Sequence, residues 1–233
     1  MKVYRILTLF LIVTQFAGFN TQVLQAKENS LKKGKWALQF EIDSNFELRS
    51  FQGSTLSIKK HTADNRAYRL GLSFQFEISD GDLARPPYGP GNSPGDKDLI
   101  QQSYRLDLQK IYYADNSDAI NLFFGLGPTV QYYYLNDKRD IRNDDDSYVN
   151  YEHNKNSAFY AGALGIIGVE WFVNKDISLL AEYGTSIRFE TITRENLRQL
   201  IQTNTQYNQY NSENTQGISV EPTNVKFGLS VYF

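Results

Sequence analysis

The side chains that could carry catalysis in this 233-residue sequence are few. Its only histidines are His61 and His153, and Ser157 follows the second of them by four residues, with Glu152 beside it. A hydrolytic site requires a nucleophile, a base and an orienting acid held together in one place. Glu152 is the immediate neighbour of His153, which is a poor position for an orienting acid. The sequence therefore predicts two solvated or interfacial histidines and no enzyme active site.

Metal and cofactor chemistry is also poorly represented. The chain has no cysteine, which excludes disulfides and thiolate metal sites. Asp140, Asp144, Asp145 and Asp146 form an acidic cluster whose carboxylates could bind calcium, but the cluster lacks the alternate spacing of a dedicated calcium loop. We predict a solvated acidic segment there, and no metal or cofactor. The formal net charge of −2 leaves no basic surface for nucleic acid.

A larger group of charged side chains alternates with apolar residues along the chain. It contains five acids and five bases: Glu41, Lys59, Arg69, Glu77, Arg105, Asp107, Glu170, Glu182, Arg188 and Lys226. Alternation at period two is typical of β-strands, because successive side chains point to opposite faces. If the apolar face points outward, the charged face points inward, and buried charges must be paired. We predict a lumen charge network that neutralises itself; the alternative is a gated ion path.

Eight segments carry this alternation, and no convincing amphipathic helix follows the N-terminal region. The eight predicted strands are residues 35–48, 54–61, 66–79, 100–113, 119–134, 157–173, 177–191 and 217–233. The last of them has an irregularity at Pro222, since proline cannot donate a ladder hydrogen bond. Most of these segments exceed the usual globular strand of about 5–6 residues. Their length suits a tilted membrane span with extensions.

The connections between these segments alternate in length. Short turns rich in Asp and Asn are predicted at residues 62–65, 114–118 and 174–176. Long polar loops are predicted at residues 80–99, 135–156 and 192–216, while the first connection, 49–53, is short. Outer-membrane barrels have short periplasmic turns and long outer loops. The predicted fold class is all-β, an eight-stranded antiparallel up-and-down transmembrane β-barrel; the alternative is a soluble β-sandwich or lipocalin-like barrel.

The N-terminal region is typical of an exported protein. Residues 1–26 contain Lys2 and Arg5, then an apolar stretch, then a small-residue cleavage site at Ala26, which together predict a signal peptide. Residues 27–233 are then one barrel domain. Trp36 and Trp171 fall at predicted periplasmic strand ends, where an aromatic girdle would meet the membrane interface.

The chain also resembles a known group of membrane proteins. The signal peptide, the eight alternating strands, the segments FFGLGPTV and GVEWFVNKDISLLAEYG and the terminal aromatic residue resemble the small outer-membrane β-barrels of Gram-negative bacteria, such as OmpX, OmpW and the membrane domain of OmpA. The resemblance implies that the apolar residues of the last strand face lipid. It also implies that the strand end is the signal read by the barrel-assembly machinery; these residues are Phe227, Leu229, Val231 and Phe233.

The same resemblance implies a non-enzymatic envelope protein of the outer membrane. The expected partners are outer-membrane lipid and lipopolysaccharide, the assembly machinery, and an extracellular ligand or host surface contacted by the long loops. Two rival functions remain open: a porin-like or OmpW-like channel for small solutes, and a lipid A-modifying enzyme. Eight strands leave an interior just wide enough for side chains, which favours a closed lumen.

Overall fold

The computed structural model describes residues 29–82, 96–114, 119–142, 148–202 and 205–233. The predicted signal peptide, most of the predicted loop 80–99, most of the predicted turn 114–118, and Asp144, Asp145 and Asp146 lie outside these ranges. The described residues form nine β-strands: β1 (Trp36–Glu47), β2 (Gln52–Ala63), β3 (Arg66–Asp82), β4 (Asp96–Tyr113), β5 (Ile120–Arg142), β6 (Tyr148–Asn174), β7 (Ile177–Gln202), β8 (Thr205–Pro222) and β9 (Lys226–Tyr232).

No helix within those described ranges is long and apolar enough to span a membrane.

The strands form a closed antiparallel ring. Strands β1 to β7 each pair with their sequence neighbours, β7 pairs with both β8 and β9, and β9 pairs with β1. Strands β8 and β9 are thus two parts of one eighth strand. The pairing of β1 with β9 closes the ring, and it ends where Trp36 and Phe233 exchange two backbone hydrogen bonds, with N···O distances of 3.1 and 3.0 Å. The predicted all-β, eight-stranded antiparallel up-and-down barrel is confirmed.

Each strand separates its side chains into an outer and an inner set. In β3, Leu70 and Leu72 are both 44% exposed on the outside, whereas Arg69 is 4% exposed on the inside. Exposed apolar side chains occur on the outer face of all nine strands. A soluble monomer rarely exposes a contiguous apolar surface of this extent. The outer surface is therefore built to contact an apolar medium.

The two ends of the barrel differ. At the turn end, residues 64–65 join β2 to β3 and residues 175–176 join β6 to β7, as the Asp- and Asn-rich turns predicted. Residues 29–35 also lie at this end: the Lys33 N–H donates to Asp64 Oδ1 at 2.9 Å, and Leu31 is 1% exposed. The segment that precedes β1 therefore covers the turn end of the barrel.

At the opposite end, the prediction of long polar loops is wrong for two segments. Most of residues 135–156 and 192–216 is strand: β5 pairs with β6 as far as Arg142 and Val149, and β7 pairs with β8 as far as Gln202 and Thr205. We call residues 135–142, 148–156, 192–202 and 205–216 the outer sheet. Its strands have polar residues on both faces, so no apolar alternation marks them in the sequence.

A one-residue irregularity separates β8 from β9. Glu182 is opposite Lys226, and Thr185 is opposite Pro222. The eighth strand therefore advances four residues, from 222 to 226, over a length in which β7 advances three, from 182 to 185. The extra residue is a β-bulge, which reverses the side-chain parity. Odd-numbered residues face outward in β9, whereas Ile218 and Val220 face outward in β8. The predicted irregularity at Pro222 is confirmed.

Candidate functional site

A buried carboxylate, Glu170, is the centre of the lumen near the turn end. It is 0% exposed and accepts hydrogen bonds from Lys59 Nζ at 2.9 Å and from the hydroxyls of Tyr113 and Tyr232, both at 2.7 Å. The Ser178 hydroxyl donates a fourth. Because Lys59 is on β2 and Glu170 is on β6, the ion pair joins opposite walls of an eight-stranded ring. The pair crosses the full width of the lumen.

A second buried group is organised by the guanidinium of Arg69. It donates in a bidentate manner to Glu182, at 2.7 and 3.1 Å, to Glu41 at 3.0 Å and to the Gln109 side chain at 2.7 Å. Lys226 Nζ lies 3.8 Å from the second Glu41 oxygen. Arg69 on β3 and Glu182 on β7 are again on opposite walls. Two cations and two anions occupy this level, so the charges balance.

A third group lies nearer the outer sheet and is less buried. Arg105 pairs with Asp107 of its own strand at 2.9 Å. Arg188 pairs with Glu221, a residue that the sequence analysis did not place in the network, and donates to Gln131 Oε1 at 3.1 Å. Glu77 is half-buried and, among the described residues, joins none of the three groups. The ten predicted network residues are therefore divided among separate levels.

The partner of Arg188 was missed because of the bulge. Counting back from Phe233 at strict period two puts Glu221 on the outer face. The extra residue at 223–225 reverses that parity, so Glu221 and Ser219 turn toward the lumen, where Ser219 Oγ bonds Glu190 at 3.3 Å. Pro222 marked the irregularity, but a proline alone does not specify the number of added residues.

Apolar and aromatic side chains fill the turn end of the lumen around Glu170. They are inward residues of the same parity as the charges: Ile111, Tyr113, Phe123, Leu164, Ile166, Phe172 and Tyr232. His61 belongs with them, since it is 1% exposed and its ring centroid lies 5.6 Å from that of Tyr113 and 5.9 Å from that of Tyr232. The prediction of a solvated or interfacial His61 is therefore wrong. Lys59 points into the lumen, and because side chains alternate along β2, His61 two residues later also points inward.

A cavity of about 160 Å³ lies in the lumen on the outer-sheet side of the Arg69 group. Ser73, Ser103, Gln131, Arg105 and Lys226 are among its lining residues. Its polar wall can hold water or a small polar solute. Lys226 donates to Thr55 Oγ1 at 2.9 Å, and its Nζ lies 3.8 Å from Glu41. Lys226 therefore connects the wall of the cavity to the buried ion pairs of the Arg69 group.

The candidates for membrane contact all lie on the outer surface. Trp36 and Trp171 are 36% and 48% exposed near the turn end, and Lys60 Nζ lies 4.6 Å from the Trp36 ring centroid. The apolar residues of the last strand are also exposed on this surface, and these are Val225, Phe227, Leu229, Val231 and Phe233. Their side chains are thus available to lipid.

The structure does not assemble the catalytic candidates. His153 and Ser157 lie on the same strand, β6, four residues and therefore about 13 Å apart along it. His153 Nε2 instead bonds Asn136 Oδ1 at 2.7 Å within the outer sheet. Burial, with Lys155 and Lys138 nearby, lowers the pKa of His153 below its ordinary value. No cluster of three His, Asp or Glu residues placed to hold a metal occurs in the part of the chain described above.

No known protein-family model matches the sequence, and no curated protein matches it. Among solved structures, the chain is similar to a major outer membrane protein of Thermus thermophilus, at 12% identity and a TM-score of 0.42 over 86% of this chain and 99% of that one. It is also similar to CarO of Acinetobacter baumannii, at 10% identity and a TM-score of 0.39 over 88% of this chain and 100% of that one. Similarities at this level do not assign the chain to a family.

Replacing the central carboxylate tests the first group. Glu170→Gln keeps the shape of the side chain but leaves Lys59 buried without its counter-charge. We expect the free energy of unfolding to fall by about 3–5 kcal/mol, measured by urea unfolding in lipid vesicles. The matched control is Glu213→Gln on the exposed outer sheet, which we expect to change it by less than about 0.5 kcal/mol. Equal effects of the two substitutions would contradict a structural role for the buried pair.

A graded series of arginine substitutions compares the second group, the third group and the outer sheet. Arg69→Ala removes the guanidinium that two buried carboxylates share and leaves Lys226 as the cation nearest to Glu41, whereas Arg105→Ala breaks one partly exposed pair within a single strand. Arg139 pairs with Asp137 on the outer sheet with 41% of its side chain exposed, and its loss should cost at most about 1 kcal/mol. We expect the loss of unfolding free energy to decrease in the order Arg69, Arg105, Arg139. An Arg105→Ala variant less stable than Arg69→Ala would overturn this ranking.

Proposed function

We propose that this protein is an integral outer-membrane β-barrel with a closed lumen and a surface-interaction role for its outer sheet. The observation that carries the membrane assignment is the exposed apolar outer surface present on every strand. Placed in water, that surface would drive aggregation; placed in lipid, it is solvated. A barrel whose ring is closed leaves no unpaired strand edge in the hydrocarbon, as a membrane span requires.

The outer membrane is the location that fits the remaining features. The predicted signal peptide would export the chain, and the turn end with its two tryptophans would face the periplasm. Outer-membrane lipid and lipopolysaccharide are then the surroundings of the apolar surface. The exposed side chains of Phe227, Leu229, Val231 and Phe233 are available to the barrel-assembly machinery.

The lumen supports a structural role better than a channel. Lys59–Glu170 and Arg69–Glu182 each join opposite walls, and a cluster of buried apolar side chains fills the lumen around Glu170. A solute would have to break these ion pairs in a low-dielectric interior to pass. A porin-like or OmpW-like channel is the second candidate, and the 160 Å³ cavity above the Arg69 group is the observation that favours it.

The outer sheet supports the surface-interaction role. Its four strands continue well beyond the apolar part of the barrel, and polar residues lie on both faces of its hairpins. A paired sheet is more rigid than a loop of the same composition, so it presents a fixed surface to an extracellular ligand or host surface. The separation of His153 from Ser157 gives no support to a lipid A-modifying enzyme.

Electrophoresis and conductance together test this proposal. The purified protein should be β-rich by circular dichroism, and its migration on gels should change on boiling. In planar bilayers we expect no steady single-channel current, because the ion pairs block the lumen; a porin of known conductance, reconstituted in parallel, is the positive control. A water-soluble monomer would overturn the membrane assignment. Large, steady currents would instead favour the channel.

Deleting Phe233 tests the assembly role of the last strand. The deletion removes an exposed side chain and the two backbone bonds to Trp36 at the end of the β1–β9 ladder. We expect less folded protein in the outer membrane at unchanged export, measured by the heat-modifiable fraction. The control, Phe233→Tyr, keeps an aromatic terminus and should restore the folded amount. If the deletion leaves the folded amount unchanged, Phe233 is not part of the signal.

A further inference from the structure

One edge of the outer sheet is open. Within the described residues, β8 pairs with β7 alone, although β9 in the same strand pairs with both β7 and β1. Residues 205–216 are all exposed. Every second residue of β8 therefore directs its backbone N–H and C=O away from β7, toward solvent. The open edge is the length of β8, 18 residues.

Over residues 205–220, this edge lacks the features that normally prevent strands from pairing; the proline and the bulge of the eighth strand lie at its lower end. Natural edge strands are protected by lysine, proline, bulges or short length. Residues 205–220 contain no lysine, arginine or proline, and their single charge is Glu213. Asn, Gln, Thr and Tyr dominate instead, a composition that forms stable ladders between like strands. The sequence of β8 therefore favours pairing with another strand over protection from it.

The direction of the edge limits which strand can occupy it. Strands β8 and β9 run one after the other along β7, and β9 holds β1 on its other edge. A strand added to β8 would thus lie directly above β1, in line with it. If that strand came from a second barrel in the same membrane, its own continuation into the membrane would collide with β1 and β2. A barrel approaching from the opposite side has no such collision.

We propose that β8 binds β8 of a second copy held in an apposed membrane, by antiparallel pairing of their open edges. The inference rests on the proposed function and names the partner of that outer surface. Antiparallel pairing related by a two-fold axis perpendicular to the strands points the two barrels in opposite directions. The protein then joins two membranes through backbone hydrogen bonds between identical strands.

Charge does not oppose this pairing in most registers. Glu213 lies opposite an acidic residue of the second copy only when the pairing is centred on residue 213, where it meets itself, or on residue 217, where it meets Glu221. A register centred on Tyr210 avoids both, and it places Gln209 opposite Asn211 of the second copy. Substituting this exposed pair therefore changes the interaction between two copies without changing the barrel.

Vesicle clustering tests the proposal with the full chain. Protein reconstituted in phosphatidylcholine vesicles should cluster them, measured by light scattering. A lysine variant, Gln209→Lys with Asn211→Lys, and a glutamate variant, Gln209→Glu with Asn211→Glu, should each lose clustering because like charges oppose. Mixing lysine-variant vesicles with glutamate-variant vesicles should restore it. Lys32→Glu, at the turn end, is the charge control and should cluster normally.

A cysteine adds a direct readout, because the chain has none of its own. With Gln209→Cys vesicles mixed with Asn211→Cys vesicles, oxidation should give a disulfide-linked dimer. If wild-type vesicles stay dispersed although they contain heat-modifiable barrels that conduct no current, this inference is overturned and the proposed function stands. Failure of the protein to enter vesicles as a heat-modifiable barrel would overturn both. Clustering that neither charge variant reduces would also overturn pairing through β8.

Discussion

The buried ion pairs that cross the lumen are the constraint on which the rest of the structure depends. Glu170 and Glu182 are nearly inaccessible to solvent, and a carboxylate in that position is stable only with a cation and with its lone pairs satisfied. Their cations come from the opposite wall, 111 and 113 residues away in the chain. Both pairs form only if the ring closes at eight strands and in one register. The charges therefore specify the closure more than the apolar outer surface does, since lipid accepts any apolar side chain.

Register also explains how the eighth strand serves two purposes. Below the bulge at 223–225, β9 closes the ring against β1 and its Tyr232 hydroxyl reaches Glu170. Above the bulge, the reversed parity turns Glu221 inward to Arg188. Gly162 contributes to the same level, because a Cβ there would clash with the Ile187 carbonyl oxygen and would lie 2.8 Å from the Cα of Arg188. The bare backbone lets β6 and β7 approach closely at the point where Arg188 reaches Gln131 on β5.

The same strands pass through two kinds of surroundings. In the lower barrel, β5, β6 and β7 alternate apolar and polar residues because one face meets an apolar medium and the other the lumen. In the outer sheet polar residues lie on both faces, and backbone pairing continues the strands together with side-chain pairs such as Arg139–Asp137. The edge of β8 remains open once the barrel has closed because β1 pairs with β9 and, among the described residues, not with β8.

The sequence by itself determined the eight strands of the lower barrel, their direction and the side of the wall on which most charges lie. Period-two alternation is a local property, so Arg69, Glu170 and Glu182 could be placed inside without knowledge of their partners. Only the tertiary structure decided which acid meets which base, because those partners are brought together by ring closure and not by spacing. It also decided the side of Glu221, since a bulge changes parity without a unique sequence signal, and it showed the outer sheet, whose polar strands resemble loops. Local patterns encode the direction of a side chain, whereas long-range register encodes the group that it meets.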